Sequence, residues 1–324
     1  MRAAVILIAF VFFCSGLAHA QAWTPQKNVE IVVPVAPGGT NDKLARAIER
    51  TMTTGKLLSS SITVVHKPGG GNQIGYAYVN QHAGDPHILL IGTTTLLTAH
   101  ITGQSKVHYT DFTPIASIFN DYLVLAVNVG SPVKSGKDLV ARMRTDAQNT
   151  TLGFSSALGN HHHIAAGLFM RSIGASVRDL KPVIFKGSSE SLIALMGGHI
   201  QLVSTGAGNA VPHATSGKLR IVGVSATQRL PGAMADVPTW KEQGVNLDYG
   251  SWRTILGPKG LSPEQVAYWE RILRQVTEAP DWKAELDRYF WGNYFFTGPT
   301  LRKNLDKEYG DSKAVLVELG LAKQ

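Results

Sequence analysis

The sequence predicts an α/β protein with largely parallel sheets, and three observations carry that expectation. Apolar, β-branched runs alternate with helical patterns nearly throughout. Several of those runs are almost continuous Val, Ile and Leu, as strands buried on both faces are. The chain has 324 residues, 44% of them hydrophobic, which is enough for two domains of ordinary size. In order, strands are expected at 29–35, 61–65, 88–91, 123–127, 151–154, 182–185, 200–203 and 219–224. Helical spacing joins Leu44, Ile48 and Met52, then Ile164, Leu168, Phe169 and Ile173, then Leu192, Leu195 and Met196. From Pro263 to Tyr289, charged residues interleave with Val266, Trp269, Ile272, Leu273 and Val276, the pattern of a surface helix. The sequence holds no repeat, low-complexity tract or long linker.

Composition removes several function classes. With 17% charged residues and that hydrophobic share, the chain is not disordered; 33 Gly and 15 Pro without a period exclude collagen. A single cysteine excludes a disulfide scaffold and a multi-thiolate zinc site. The net charge of +8 is modest and its basic residues are dispersed, so no nucleic-acid stripe is expected. The first twenty residues read as a secretory leader. Arg2 is a basic start, residues 3–13 form an uncharged apolar run, and Ala18, His19 and Ala20 supply a small-x-small cleavage site after Ala20. The apolar run is too short for comfortable spanning, and Phe13 before Cys14 does not suit lipid attachment.

The placement of small residues is more informative. Four times a predicted strand runs through a small-residue turn into a helix. The turns are Ala36-Pro37-Gly38-Gly39-Thr40-Asn41-Asp42, Lys67-Pro68-Gly69-Gly70-Gly71-Asn72, Ser155-Ser156-Ala157-Leu158-Gly159-Asn160 and Lys186-Gly187-Ser188-Ser189-Glu190. A helix begun in this way presents unpaired backbone N–H groups and the positive end of its dipole. Where the turn lacks Cβ atoms, the oxygens of an anion can approach the backbone. In open α/β sheets these turns line the crevice at the strands' carboxyl ends. Gly, Ser, Asn and Asp are also ordinary turn and capping residues, so one such turn says little; four with one grammar point to an anion site.

Other motifs carry less. Gly69, Gly71 and Gly75 miss the dinucleotide fingerprint by one residue, and no P-loop is present. Gly153-Phe154-Ser155-Ser156-Ala157 resembles a nucleophile elbow whose last glycine is Ala157. His161, His162 and His163 point about 100° apart on a helix and cannot share one metal ion as i, i+4 histidines can. One is expected to face the cleft, the others to be solvated or packed. Lys186 and Arg253 are candidate counter-charges for a carboxylate.

A family resemblance then emerges from an ordered set of motifs. Val33-Pro34-Val35-Ala36-Pro37-Gly38-Gly39 with Asp42 resembles the opening of the periplasmic solute receptors of tripartite tricarboxylate transporters, the Bug-type receptors. The likeness continues through Lys67-Pro68-Gly69-Gly70-Gly71, Asn80-Gln81-His82-Ala83-Gly84-Asp85, Ser156-Ala157-Leu158-Gly159-Asn160-His161 and Phe185-Lys186-Gly187-Ser188. It runs on through Gly197-Gly198-His199, Gly217-Lys218-Leu219-Arg220, Asp236-Val237-Pro238-Thr239-Trp240 and Ser251-Trp252-Arg253.

The resemblance implies a two-domain periplasmic-binding-protein fold of type II-like form, with the ligand in a cleft between the domains. Domain 1 would be 21–123 and 228–324, and domain 2 would be 124–227. A small organic di- or tricarboxylate would be held by Ala36, Gly38, Gly39, Thr40, Asn41, Gly70, Gly71 and Asn72, with bridging waters. Asp42 would hold the first turn and cap its helix. Thr93, Thr94, Ser155, Ser156, Asn160, His161, Lys186, Gly187 and Ser188 would shape the rest of the pocket. Two departures are specific to this chain. Gly38, Gly39, Thr40 and Asn41 stand where many relatives carry three glycines and Thr, and Thr205 stands where many carry an aspartate that could answer an ammonium. The second suggests a ligand without a nearby amine. No cofactor, metal or catalytic residue is expected, and the partners would be the ligand and the transporter's membrane subunits, with the receptor a periplasmic monomer. Two alternatives stay open: a secreted hydrolase using Ser155 or Ser156 with one of His161–His163, and a sensor receptor serving a signalling partner.

Overall fold

A computed structural model of the chain describes residues 23–318 and 320–323; the expected leader, 1–20, lies outside the described residues. The chain runs β1 (Val29–Val33), α1 (Thr40–Thr54), β2 (Ile62–His66), α2 (Gln73–Asn80), β3 (Ile88–Thr93), α3 (Thr94–Ile101) and a long β4 (Phe112–Asn128). It continues with α4 (Gly136–Thr145), β5 (Thr151–Ser155), α5 (His161–Ser172), β6 (Lys181–Phe185), α6 (Ser188–Met196), β7 (Leu202–Gly206), α7 (Ala207–Thr215) and β8 (Leu219–Val224). The last elements are β9 (Gly250–Pro258), α8 (Pro263–Glu278), α9 (Pro280–Tyr289), β10 (Trp291–Thr297) and α10 (Gly298–Glu318). Among the described residues no helix is long and apolar enough to cross a membrane.

The strands form a curled sheet in the order β2-β1-β3-β9-β4-β7-β5-β6, with β8 and β10 also on β4. β4 is the shared element. Its first part, Phe112 to Tyr122, pairs with β9 and β10, and from Leu123 onward it pairs with β7 and β8. Two lobes result, each with a short parallel set (β2-β1-β3, and β6-β5-β7) flanked by helices. The expectation of largely parallel sheets needs correction, because every pairing made by β4 or β9 is antiparallel. The two strands missing from the sequence reading explain much of this. β9 reads Gly-Ser-Trp-Arg-Thr and β10 reads Trp-Gly-Asn-Tyr, so polar residues break the apolar runs by which buried strands are recognised. The first part of β4 is disguised by Pro114, which sits at a register shift, where a missing N–H is tolerated.

Each lobe has its own core. Ile31, Val33, Leu44, Ile48, Trp269, Leu273, Trp282 and Trp291 pack together in the first. Leu125, Leu152, Phe154, Phe169, Met170 and Trp240 pack on one face of the second sheet, and Val124, Leu195, Val203 and Met234 on the other. Each large side chain buried there contributes roughly 1.5–3 kcal/mol relative to exposure. The single surface helix expected from Pro263 to Tyr289 is two helices. α8 starts with a Ser262–Gln265 capping box and ends at Ala279, because Pro280 cannot continue it and instead opens α9.

Candidate functional site

The four small-residue turns emerge at the carboxyl ends of β1, β2, β5 and β6, and all four face the gap between the lobes. The first is built around Asp42. One carboxylate oxygen accepts the Gly38 N–H at 2.9 Å; the other is 2.9 Å from both Arg46 Nε and His66 Nε2. Asp42 therefore ties turn, helix and β2 together, while the N-cap of α1, Gly39, has no side-chain cap and leaves the helix N–H groups free. Gly38 sits at φ +91°, and a Cβ there would stand 2.6 Å from Ser189 Oγ across the gap. α6 also begins uncapped, at Gly187, and a Cβ on Gly39 would lie 3.7 Å from Ser188 N. Two positive helix ends thus face one another from opposite lobes, a junction that an anion would stabilise.

The second and third turns meet directly. Asn72 (φ +77°) and Ser156 (φ +87°) are both in left-handed backbone conformations, and Ser156 Oγ donates to Asn72 Oδ1 at 2.8 Å. Such strain persists only where surrounding structure enforces it, and it clusters at ligand clamps. Further cross-lobe bonds run from Ala36 N–H to Lys186 O at 3.5 Å, from Gln104 to Leu158 O at 2.9 Å, and from Asn209 to Thr40 Oγ1 at 2.9 Å. The lobes are closed: the cavity between them gives only about 20 Å³ to the centre of a water molecule, room for about one water. A larger cavity of about 400 Å³ lies on the second lobe around Val127, Pro132 and Met196, away from all four turns.

Of the residues singled out from sequence, Gly39, Thr40, Asn41, Asn72 and Thr93 line the cleft from the first lobe, and Ser155, Ser156, His161, Gly187 and Ser188 from the second. Ala36, Gly38, Asp42, Gly70, Gly71, Thr94, Asn160, Lys186 and Thr205 do not line it. Asn160 is the α5 cap, accepting the His163 N–H at 3.1 Å and donating to Ser155 O at 2.6 Å. Thr205 is buried behind Thr40, 3.4 Å from Asn209 Nδ2, and Lys186 is exposed. Thr94 is fully buried and its hydroxyl has no partner. Arg253, a candidate counter-charge from the sequence, and His162, one of the three adjacent histidines, line it too, as do Val35 and Thr95, which the sequence did not single out as site residues.

Arg253 is the side chain that gives the cleft its charge. It is 3% exposed, and three neighbours lock its guanidinium. Nε donates to Asn41 Oδ1 at 2.7 Å; Nη1 donates to Ser251 O at 3.0 Å, to Ser251 Oγ at 2.5 Å and to Trp252 O at 3.1 Å. Nη2 makes no hydrogen bond among the described residues; the nearest acid, Asp121 Oδ2, is 3.6 Å away. Nη2 is ion-paired with Asp121 at that distance but keeps its hydrogen-bond donors, and a fixed fork with such an arm suits a carboxylate. Asp121 is fully buried, accepts from Thr40 Oγ1 at 3.1 Å, and is pushed up to about 6 by that burial, with Arg253, Thr40 and Lys43 opposing the rise.

All three histidines are buried, so of the two alternatives, solvated or packed, packing holds, and two of them, His161 and His162, line the cleft where one was expected. Burial, with neighbouring His162 and Arg253, holds His161 well below the usual range; burial lowers His162 to about 3 and His163 to about 4. His162 Nδ1 lies 3.0 Å from Ser204 Oγ, and His163 Nδ1 accepts the Gly159 N–H at 3.0 Å. Neither nitrogen of His161 has a partner. The described residues bring together no metal-binding group of His, Cys, Asp or Glu. A hydrolase needs a serine hydrogen-bonded to its base, but Ser155 Oγ pairs with Ser188 Oγ at 3.4 Å and Ser156 with Asn72.

With this geometry, comparison with known proteins decides the family. The profile of the tripartite tricarboxylate transporter family receptor matches residues 44–321. The chain belongs to that receptor family. Among its relatives, Protein BugT of Bordetella pertussis is 26% identical over 270 residues, spanning 82% of this chain and 80% of BugT. A Cupriavidus necator protein, "UPF0065 protein in gbd 5'region", is 24% identical over 310 residues, 94% of this chain and 92% of that one. A solved R. palustris protein with adipate superposes with a TM-score of 0.84 at 25% identity, covering 92% of this chain and 99% of that chain. The periplasmic binding protein BugD, at 22% identity and a TM-score of 0.83 over 93% of this chain and 100% of its own, shares the fold. The receptor family's two-lobed periplasmic-binding-protein fold and its solute-binding character are therefore those of this chain.

Proposed function

We propose that the chain is an exported receptor that closes on a small dicarboxylate and delivers it to the membrane subunits of a tripartite transporter. The observation that carries the reading is the Arg253 guanidinium, locked on three sides and lining the cleft, with Nη2 ion-paired to Asp121 but making no hydrogen bond among the described residues, set among the facing N-termini of α1 and α6. One ligand carboxylate fills Nη2 and the free N–H groups of the first turn. The ligand's far end meets Ser155, Ser188 and neutral His161, whose unpaired nitrogens supply one donor and one acceptor. The adipate carried by the 25%-identical R. palustris protein supports the dicarboxylate class. Thr205, buried away from the cleft, offers no anion to an ammonium, which favours a ligand without an amine.

Binding and closing are coupled in this reading. Two positive helix ends and a guanidinium oppose the approach of the lobes, and a dianion between them turns repulsion into attraction. The closed cavity is too small for a dicarboxylate, so the lobes must part before the ligand enters and settle around it afterwards. The hinge runs through β4 between Tyr122 and Leu123, and the chain rejoins the first lobe at about Gly250 rather than at 228, because Leu230, Met234, Trp240 and Leu247 pack in the second lobe's cores. Removal of residues 1–20 during export yields a periplasmic monomer.

Thermal unfolding tests the reading on protein stripped of ligand by unfolding and refolding. A dicarboxylate at about a thousand times its dissociation constant adds about 4 kcal/mol and raises the midpoint by several degrees. Shifts with dicarboxylates and none with glutamate or aspartate are expected. Equal shifts with the amino acids would remove the amine-free ligand class.

A further inference from the structure

Behind the cleft, on the opposite face of the first lobe's sheet, lies a second cavity under α10. Alternation along β9 turns Arg253 into the cleft, and Trp252 and Thr254 into this cavity. About 170 Å³ of it is open to water centres, several times the space in the closed cleft. Ser117 and Thr254, both 1% exposed, lie deepest, and neither hydroxyl has a hydrogen-bond partner. Tyr294, 42% exposed, marks the mouth, with the Phe296 ring edge-on to it at 4.7 Å.

The wall formed by α10 places Glu308 among these rings. Burial raises its carboxyl above the ordinary range, with the neighbouring Trp252 side chain opposing the rise. Lys307 also lines the cavity and its charge favours the ionised Glu308, but its ammonium is paired with Asp311, and no ion pair holds Glu308 among the described residues. A partly buried carboxylate with no ion pair of its own, next to three aromatic side chains, disfavours anions and offers a place to a further positive charge. An apolar guest would strand that carboxylate, and an acid would face it with like charge.

We propose that this cavity is a second ligand site, taking a small organic ammonium whose charge meets Glu308 and whose alkyl groups pack on Trp252, Tyr294 and Phe296. The site is independent of the cleft reading, because the sheet separates it from Arg253 and none of its lining residues is shared.

Calorimetric titration of the full mature chain with choline tests this, with 3,3-dimethyl-1-butanol as the uncharged isostere. Saturable binding of choline with one site, at least about tenfold stronger than the isostere, is expected. Glu308→Gln should weaken choline by about tenfold and Tyr294→Leu by a smaller factor, while the thermal shift with dicarboxylate stays unchanged in both. Arg253→Gln should leave choline binding intact. Absence of saturable choline binding up to about 10 mM, or equal choline affinity in Glu308→Gln with its dicarboxylate shift retained, would overturn the proposal.

Discussion

Replacing Arg253 with Gln removes a positive charge from the cleft while keeping a hydrogen-bonding side chain of similar reach. In the closed cleft Nη2 belongs to a guanidinium that is 3% exposed, and it is ion-paired with Asp121 at 3.6 Å without a hydrogen bond among the described residues. Losing one partner of a buried, hydrogen-bonded charge pair costs about 2–5 kcal/mol, roughly a thirtyfold to several-thousandfold loss of affinity. The same substitution strips Asp121 of the charge 3.6 Å away. That carboxyl already sits at about 6, so it takes up a proton instead of remaining charged, at about 1.4 kcal/mol per pH unit. The fold should therefore survive at neutral pH. The double variant Arg253→Gln with Asp121→Asn separates the two effects, because it removes both charges: stability should recover and affinity should not. Arg253→Lys keeps charge without the fork and should fall between. Isothermal calorimetry on refolded protein, paired with urea unfolding, reads both quantities. Dicarboxylate affinity within threefold of the parent in a folded Arg253→Gln protein would refute the role assigned to the guanidinium.

Other consequences follow from the same geometry. His162 and His163 are held neutral, near 3 and 4, against about 6.5 when unfolded, so their stabilisation is complete above the unfolded value and lost as pH falls through the folded ones. Each should cost about 2 kcal/mol between pH 7 and pH 5, measurable as a falling urea midpoint; a flat midpoint there would contradict their burial. Asp121 acts with the opposite sign. Its folded value is raised to about 6, so its contribution is present below about 4 and lost as pH rises through 6, and Asp121→Asn should remove that slope between pH 4 and 6. Gly38→Ala places a Cβ at φ +91° against Ser189 Oγ; it should lower stability by about 1–2 kcal/mol and weaken ligand binding, and unchanged thermal unfolding would refute the need for glycine. Asp42→Asn should weaken ligand by only about 0.3–1 kcal/mol through the lost charge at the start of α1, because Asp42 points to Gly38, Arg46 and His66 rather than into the cleft; a tenfold gain in affinity would mean that it faces the ligand.

Much of the cleft could be read before the fold was seen, for a physical reason. Turns that begin helices need Gly, Ser, Asn and Asp locally, so the four turns announce themselves one at a time. Ten residues named from them and from the resemblance do line the cavity. The uninterrupted apolar strands were legible in the same way, β8 with both ends matched at Leu219–Val224. What sequence conceals is partnership over distance. Arg253 and Lys186 look alike as single basic residues, yet one is buried by Asn41, 212 positions away, and the other is exposed. The polar β9 carries that arginine and therefore escaped detection as a strand. The histidine run gave no sign that all three rings are buried, since burial there comes from β5 and β7 closing over the start of α5.

In this cleft two carboxylates are recognised as charges, by Arg253 and by the free N–H groups at the helix starts. Calorimetric titration of refolded, ligand-free protein with a straight-chain dicarboxylate series, beside the monomethyl and dimethyl esters of each acid, tests it most directly. Saturable one-to-one binding of at least one diacid is expected, with a loss of tenfold or more for its monoester and no detectable binding of the diester. A diester that binds as tightly as its diacid would contradict it.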